Sequence, residues 1–259
     1  MIRLLLEGWA VCAVTQAALW GVSLRTRNAG IVDVGWALTF TLVVVLFGVQ
    51  TGHWPAIAFV VIAWSLRLGG YLIKRGAASG PEEGRYADLR ARWAPHATRS
   101  FFIFFQAQGA LTALLAIGFL VPFVREPSCA APLWAGLVLS IVGVVGETLS
   151  DAQLARFKRD PANKGRVCDV GLWGWSRHPN YFFEWCVWLG YGVAGFAYWP
   201  WGLIALAPQA IILGSIFGVT GIPPTEKQAL RSKGEAYAEY QRRVSRFVPM
   251  PPKSRGEVT

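Results

Sequence analysis

The sequence predicts an all-α polytopic membrane protein, and three observations predict it. Of its 259 residues 54% are hydrophobic and only 15% charged. Apolar runs of about 20 residues, the length that a bilayer-spanning helix needs, recur along the chain. The basic residues fall almost entirely in alternate connections between those runs, the pattern that orients helices in a membrane.

The first run, 4–24, lies within "MIRLLLEGWAVCAVTQAALW", which carries Glu7 and lacks a small-residue cleavage site followed by a polar chain. It reads as a retained first helix and not a signal peptide. Further apolar segments at 31–50, 54–73, 100–124, 132–150, 181–198 and 201–221 bring the expectation to seven transmembrane helices in one domain, 1–259. With the N-terminus out and the C-terminus cytoplasmic, 22 of the 25 Lys and Arg residues lie on the inner side, so the positive-inside rule selects that orientation. The short outer turns "QTGHWP" and "YWPW" supply Trp54, Trp199 and Trp201 as interfacial anchors. The inner face holds two longer loops and a tail. In that tail Leu230, Tyr237, Tyr240 and Val244 share one helical face, and Gly234 divides it into two short amphipathic helices.

A net charge of +10 could serve nucleic acid, but basic residues confined to loops between spans are explained by membrane orientation, so no nucleic-acid partner is expected. Cys12, Cys129, Cys168 and Cys186 are scattered, with no CxxC and no histidine pair, which predicts free thiols and no metal site. No GxGxxG follows a strand, and there is no GxxxxGK[ST] loop, GxSxG elbow or HExxH helix. A nucleotide would have to be held by helix ends and loops.

Ionisable side chains inside spans are costly and by default mark functional sites. Asp33 opens the second span, Arg67 closes the third, Glu147 and Asp151 end the fifth, and Glu184 begins the sixth. Residues four apart share a helix face, so Glu147 pairs with Asp151 and Asn180 with Glu184, while Lys158 follows Asp151 on nearly the same stripe. In "SRHPNYFFEW" Pro179 suits a first helical turn. The free N–H groups of that terminus, flanked by Arg177 and His178, can receive phosphate or carboxylate.

The segments "GETLSDAQLARFKRDPANKGRVCDVGLWGWSRHPNYFFEW" and "VTGIPPTEKQALRSKGEAYAEYQRRVSRFVP" resemble the C-terminal half of the steroid 5α-reductase superfamily. The closest likeness is to its bacterial branch, called DUF1295, and there it includes "DVGW" at 33–36 and "SLRLGGYLIKR" at 65–75. The resemblance implies substrate-side helices in 1–124 and a cofactor-binding half in 132–250. NADPH would lie in the cytoplasmic half of the bundle and reduce a carbon–carbon double bond conjugated to a carbonyl in a hydrophobic, steroid- or isoprenoid-like substrate drawn from the bilayer.

Carried over residue by residue, Asp151 and Asn180 look like the family's cofactor-binding aspartate and asparagine. Glu147 stands where steroid reductases have asparagine and Lys158 where they have arginine. Glu184 matches the acid one turn after Asn180, and Tyr240 the tyrosine of the tail. Arg67, Arg177, His178, Tyr181, Glu226 and Tyr237 complete the expected cofactor set. The steroid reductases' Gln-Glu pair and following tyrosine have no recognisable counterpart, and Asp33 with Tyr71 is the expected substitute as catalytic acid. "RHPNY" and the pattern Glu226, Leu230, Gly234, Tyr237, Tyr240 are also similar to isoprenylcysteine carboxyl methyltransferases, which use S-adenosylmethionine. The expectation is therefore an inner-membrane NADPH-dependent reductase, with an S-adenosylmethionine-dependent methyltransferase or a non-catalytic lipid-binding protein as alternatives.

Overall fold

The structure, a computed structural model, describes residues 1–79, 81–82, 84–218 and 221–254. Val219 and Thr220 of the last predicted span, and Arg255 of the basic tail, lie outside the described residues. Those described are helical with no strand, and the chain divides into two compact units, 1–130 with 195–208, and 131–194 with 209–259.

In the first unit, α1 (Ile2–Thr26), α2 (Ile31–Thr51), α3 (Ala56–Lys74) and α5 (Ala97–Ala116) pack side by side, with the short α4 (Gly84–Arg92) against α5. α1 stops where Arg27 turns left-handed (φ 52°), and Asn28 Oδ1 accepts from Gly30 N at 2.8 Å to close the elbow into α2. An asparagine two residues before its backbone partner is a common way to make such a turn. Across the α2–α3 face, Ser65 Oγ donates to the Ala37 carbonyl at 2.7 Å and shares a hydrogen bond with Thr41 Oγ1, so the buried hydroxyls are satisfied within the bundle. Phe40 meets Trp36 and Trp64 edge-on, both at 5.3 Å between ring centroids, filling the centre of this unit.

The second unit contains α6 (Ala130–Arg159) and α7 (Pro179–Gly195), except for Ala130 and Gly195, which fall in the first unit. It also holds most of α8 (Leu206–Gly218), with α9 (Ile222–Lys233) and α10 (Glu235–Arg243). Gly234 at φ 54° separates α9 from α10, where the sequence places the break.

Among the described residues six stretches are long and apolar enough to cross a bilayer: 2–26, 31–51, 56–74, 97–119, 130–159 and 201–233, the last taken on both sides of 219–220, which lie outside the described residues. They are consistent with an integral membrane protein. The predicted sixth span, 181–198, differs. Its α-helix has 17 residues and gives way to a 3-10 turn, Phe196–Tyr198. At 1.5 Å per residue that helix reaches about 26 Å, short of the roughly 30 Å hydrocarbon core. α6 errs the other way: with 30 residues it runs about 45 Å, so it outlasts its apolar part by nearly three turns. The charges after Ser150 end the membrane-compatible stretch, but "DAQLARFKR" is made of good helix formers and continues the helix.

Candidate functional site

α6 presents a stripe of small residues, Gly136, Ser140 and Gly143, at spacings of four and three, followed on the same face by Glu147 and Ser150. α7 lies directly against it. A Cβ at Gly143 would stand 2.7 Å from Val187 N and 2.8 Å from the Phe183 carbonyl, and one at Gly190 would stand 2.6 Å from the Gly136 carbonyl. Here glycine is required for its size, since only backbone without side chain allows such approach. Ser140 Oγ donates to the Val187 carbonyl at 3.1 Å across the same face.

This close approach carries the acids of α6 to the start of α7. Glu147 and Asp151 are buried, at 3% and 5% exposure, and Asn180 in the first turn of α7 directs its Nδ2 to Asp151 Oδ1 at 3.5 Å. Tyr191, fully buried about three turns further along α7, lies within electrostatic range of Glu147. Glu184 is half-buried one turn after Asn180. Lys158 is exposed near the end of α6, within electrostatic range of both Lys233 and Cys168.

Before α7 the chain is clasped by the tail. Arg177 donates from Nε to Glu226 Oε1 at 2.7 Å and from Nη1 to the carbonyls of Gln241 and Val244 at 2.7 and 2.8 Å. Its backbone N–H donates to Ser245, Ser176 Oγ to the Phe247 carbonyl, and Met250 N to Trp175. Tyr240 OH donates to the Trp173 carbonyl at 2.5 Å. Arg177, Glu226 and Tyr240 of the expected cofactor set thus direct their groups at one another's segments, which ties the start of α7 to the tail. Burial pushes the Tyr237 phenol up to about 12 and the Tyr240 phenol higher still, so both stay neutral donors at ordinary pH. His178 is buried with Nε2 3.3 Å from Glu226 Oε1, and its ring stacks on Tyr181 at 5.6 Å. Desolvation lowers the His178 pKa, partly offset by the Glu226 carboxylate. Tyr181 OH reaches Thr225 Oγ1 at 3.3 Å, fixing α7 to α9.

The remaining expected residues belong to the first unit. Asp33, in the first turn of α2, is held by the Arg85 guanidinium at Oδ2 and by Tyr86 OH at Oδ1, 2.8 Å away. Arg85 also lies over the Tyr86 ring. Arg67 sits with its guanidinium carbon 5.9 Å from the Tyr71 ring centre. Beside this group Glu82 accepts from Ala29 N at 2.8 Å and from Arg90 at 2.7 and 2.9 Å, tying the α3–α4 loop to the α1–α2 elbow. Hydrogen bonding to Arg90 holds the Glu82 carboxyl below its usual range.

Sequence reasoning did not single out Arg85, Tyr86 or Tyr191. Tyr86 is the buried residue of α4, and a lone aromatic in "EEGRYADLRAR" could have flagged it. Tyr191 lies inside an apolar run and gives no such signal. Among the described residues no group of three His, Cys, Asp or Glu could hold a metal ion, and the four cysteines are free thiols.

Comparison with known proteins assigns the family. The family described as protein of unknown function (DUF1295) matches residues 19–244. The chain belongs to the DUF1295 family. The matched range spans Asp33, the α6 acids, Asn180 and the tail as far as Val244. The chain is also 28% identical to uncharacterized protein C594.04c of Schizosaccharomyces pombe, over 89% of this chain and 75% of that one. No solved structure matches.

Proposed function

We propose that this DUF1295 protein is an NADPH-dependent membrane reductase of a carbon–carbon double bond conjugated to a carbonyl in a hydrophobic, steroid- or isoprenoid-like substrate. The observation that carries the reading is the cluster of the buried acids Glu147 and Asp151 with the half-buried Asn180. Acids are costly to bury in a helix interface, and ionisable groups at such a place by default mark a functional site.

The donor set fits the cofactor. Glu147, Asp151 and Glu184 supply acceptors for ribose hydroxyls and a carboxamide N–H, and Asn180 supplies both a donor and an acceptor. Lys158 and Lys233 are cations close enough to feel each other, an arrangement that a phosphate relieves. The Arg177–Glu226–Tyr240 clasp holds the start of α7 in place, and His178 and Tyr181 extend the stack that packs it. NADPH bound there would supply a hydride. In the first unit, the pair Asp33 and Tyr71 is proposed to act at the substrate carbonyl, with Tyr71 OH as the donor that polarises it, since Asp33 accepts from Arg85 and from Tyr86 OH. The proposal keeps seven crossings, the N-terminus outside, a bacterial inner membrane and a site facing the cytoplasm, supported by the distribution of basic residues along the chain.

The test is native mass spectrometry of the detergent-purified protein, with NADPH and S-adenosylmethionine titrated separately. NADPH should be retained, and Asp151→Asn and Asn180→Ala should each weaken it about tenfold or more. Retention of S-adenosylmethionine alone would replace the reductase with the methyltransferase that "RHPNY" also resembles. Retention of neither would favour a non-catalytic lipid-binding role.

A further inference from the structure

The first unit has a groove that the reductase reading does not use. It is an open hollow of about 610 Å³ lined by Trp20, Pro95, His96, Thr98, Arg99 and Phe102. One wall is aromatic: Trp20 and Phe102 meet edge-on at 5.0 Å, and Trp20 Nε1 donates to the Thr98 carbonyl at 3.2 Å, which fixes the indole. The other wall is polar and cationic, with His96, Thr98 and Arg99 all exposed. No acidic side chain is among the described lining residues.

Its position sets the kind of ligand. Trp20 lies near the end of one membrane-compatible helix, 2–26, and Phe102 near the start of another, 97–119. The groove thus opens where the apolar length of both helices gives way to a basic end bearing Arg25, Arg27 and Arg99. Aromatic side chains at that depth favour the boundary between hydrocarbon and headgroup, and a basic residue just beyond it attracts an anionic headgroup. Phe102 is 38% exposed although apolar, so it has surface left for an acyl chain to cover.

We propose that this groove binds a single anionic phospholipid, with its phosphate at Arg99 and its proximal acyl chain along Trp20 and Phe102. The proposal is independent of the reductase reading, because none of the lining residues belongs to either polar cluster described above.

The experiment is native mass spectrometry of the delipidated full chain, titrated with dioleoyl-phosphatidylglycerol, dioleoyl-phosphatidylcholine or glycerol phosphate. Phosphatidylglycerol should bind first, and Arg99→Gln should lower its affinity about fivefold, the worth of one basic residue at an anionic surface. Arg159→Gln, at an exposed arginine of the second unit, should leave it unchanged. Phe102→Ala should weaken both lipids alike. Equal binding of the two lipids, an unaltered preference in Arg99→Gln, or an equal loss in Arg159→Gln would overturn the site. Glycerol phosphate displacing the lipid at equal concentration would overturn it in favour of a soluble phosphate ligand.

Discussion

Replacing Gly143 by alanine tests whether the α6–α7 interface depends on bare backbone. The added methyl would stand 2.7 Å from Val187 N and Val187 Cγ2 and 2.8 Å from the Phe183 carbonyl. Two of these neighbours are backbone atoms, so no side-chain rotation clears them. Reaching an ordinary van der Waals distance requires the helices to part by about 0.7 Å, enough to forfeit roughly a quarter of each contact across the interface. Overpacking of this kind costs about 2–3 kcal/mol, of which about 1 is returned by alanine's better helix propensity, leaving a net loss of roughly 1–2 kcal/mol. Thermal or denaturant unfolding in one detergent would read it, with Gly21→Ala and Gly70→Ala as references. An added methyl at either of those helical positions meets nothing within 4 Å, and both variants should be neutral or stabilised by up to about 1 kcal/mol. An unchanged midpoint for Gly143→Ala, or an equal loss for Gly21→Ala, would refute close backbone packing as the reason for the stripe.

The clasp and the loop make three further predictions. Arg177→Leu strands the Glu226 carboxylate beside His178 and should cost about 3–5 kcal/mol, while the double variant with Glu226→Leu should recover most of it; limited proteolysis of the tail gives an independent readout. Tyr240→Phe leaves the Trp173 carbonyl without its donor and should lower stability by about 1–3 kcal/mol, measured by the same unfolding assay. Glu82 has its carboxyl lowered by Arg90. Its stabilising contribution is therefore complete above the unfolded carboxylate pKa of about 4.3 and is lost as the pH falls through the lower folded value. Wild type should lose midpoint below about pH 4 more steeply than Glu82→Gln, and parallel curves would refute the linkage.

The helices were legible because crossing a bilayer imposes a length and a composition that single residues cannot disguise. Their ends were less so. Charge after Ser150 signals the end of the membrane-compatible stretch, but the α6 helix continues to Arg159. The shortening of α7 at Gly195 is hidden within an apolar run. Of the candidate residues, Glu147 and Asp151 share a face of α6 as helical spacing requires, while the contact of Asn180 with Asp151 comes from the packing of α7 on α6. Arg177 reads from sequence as a phosphate ligand because its type and its position beside a helix N-terminus suit one. What fixes its partner instead is a carboxylate 49 residues away and two tail carbonyls, a long-range pairing that no local pattern encodes. Likewise Tyr86 reaches Asp33 from 53 residues further along, across a loop with no strong periodicity.

Glu147 is where packing and ligand binding compete. It continues the stripe Gly136, Ser140, Gly143 whose small side chains let α7 approach, yet it places a carboxylate where the stripe asks for something small or apolar. Such an acid contributes little to folding, because its desolvation offsets what its contacts return. Glu147→Gln keeps the shape and the hydrogen-bonding reach while removing the charge. The variant should therefore fold at least as stably as wild type, and up to about 2 kcal/mol more so, while losing cofactor retention in the native mass spectrum. A residue that only packs would behave oppositely, with a lowered midpoint and unaltered retention. Measuring both quantities on one preparation separates the two roles, since only a ligand-binding acid moves them in opposite directions.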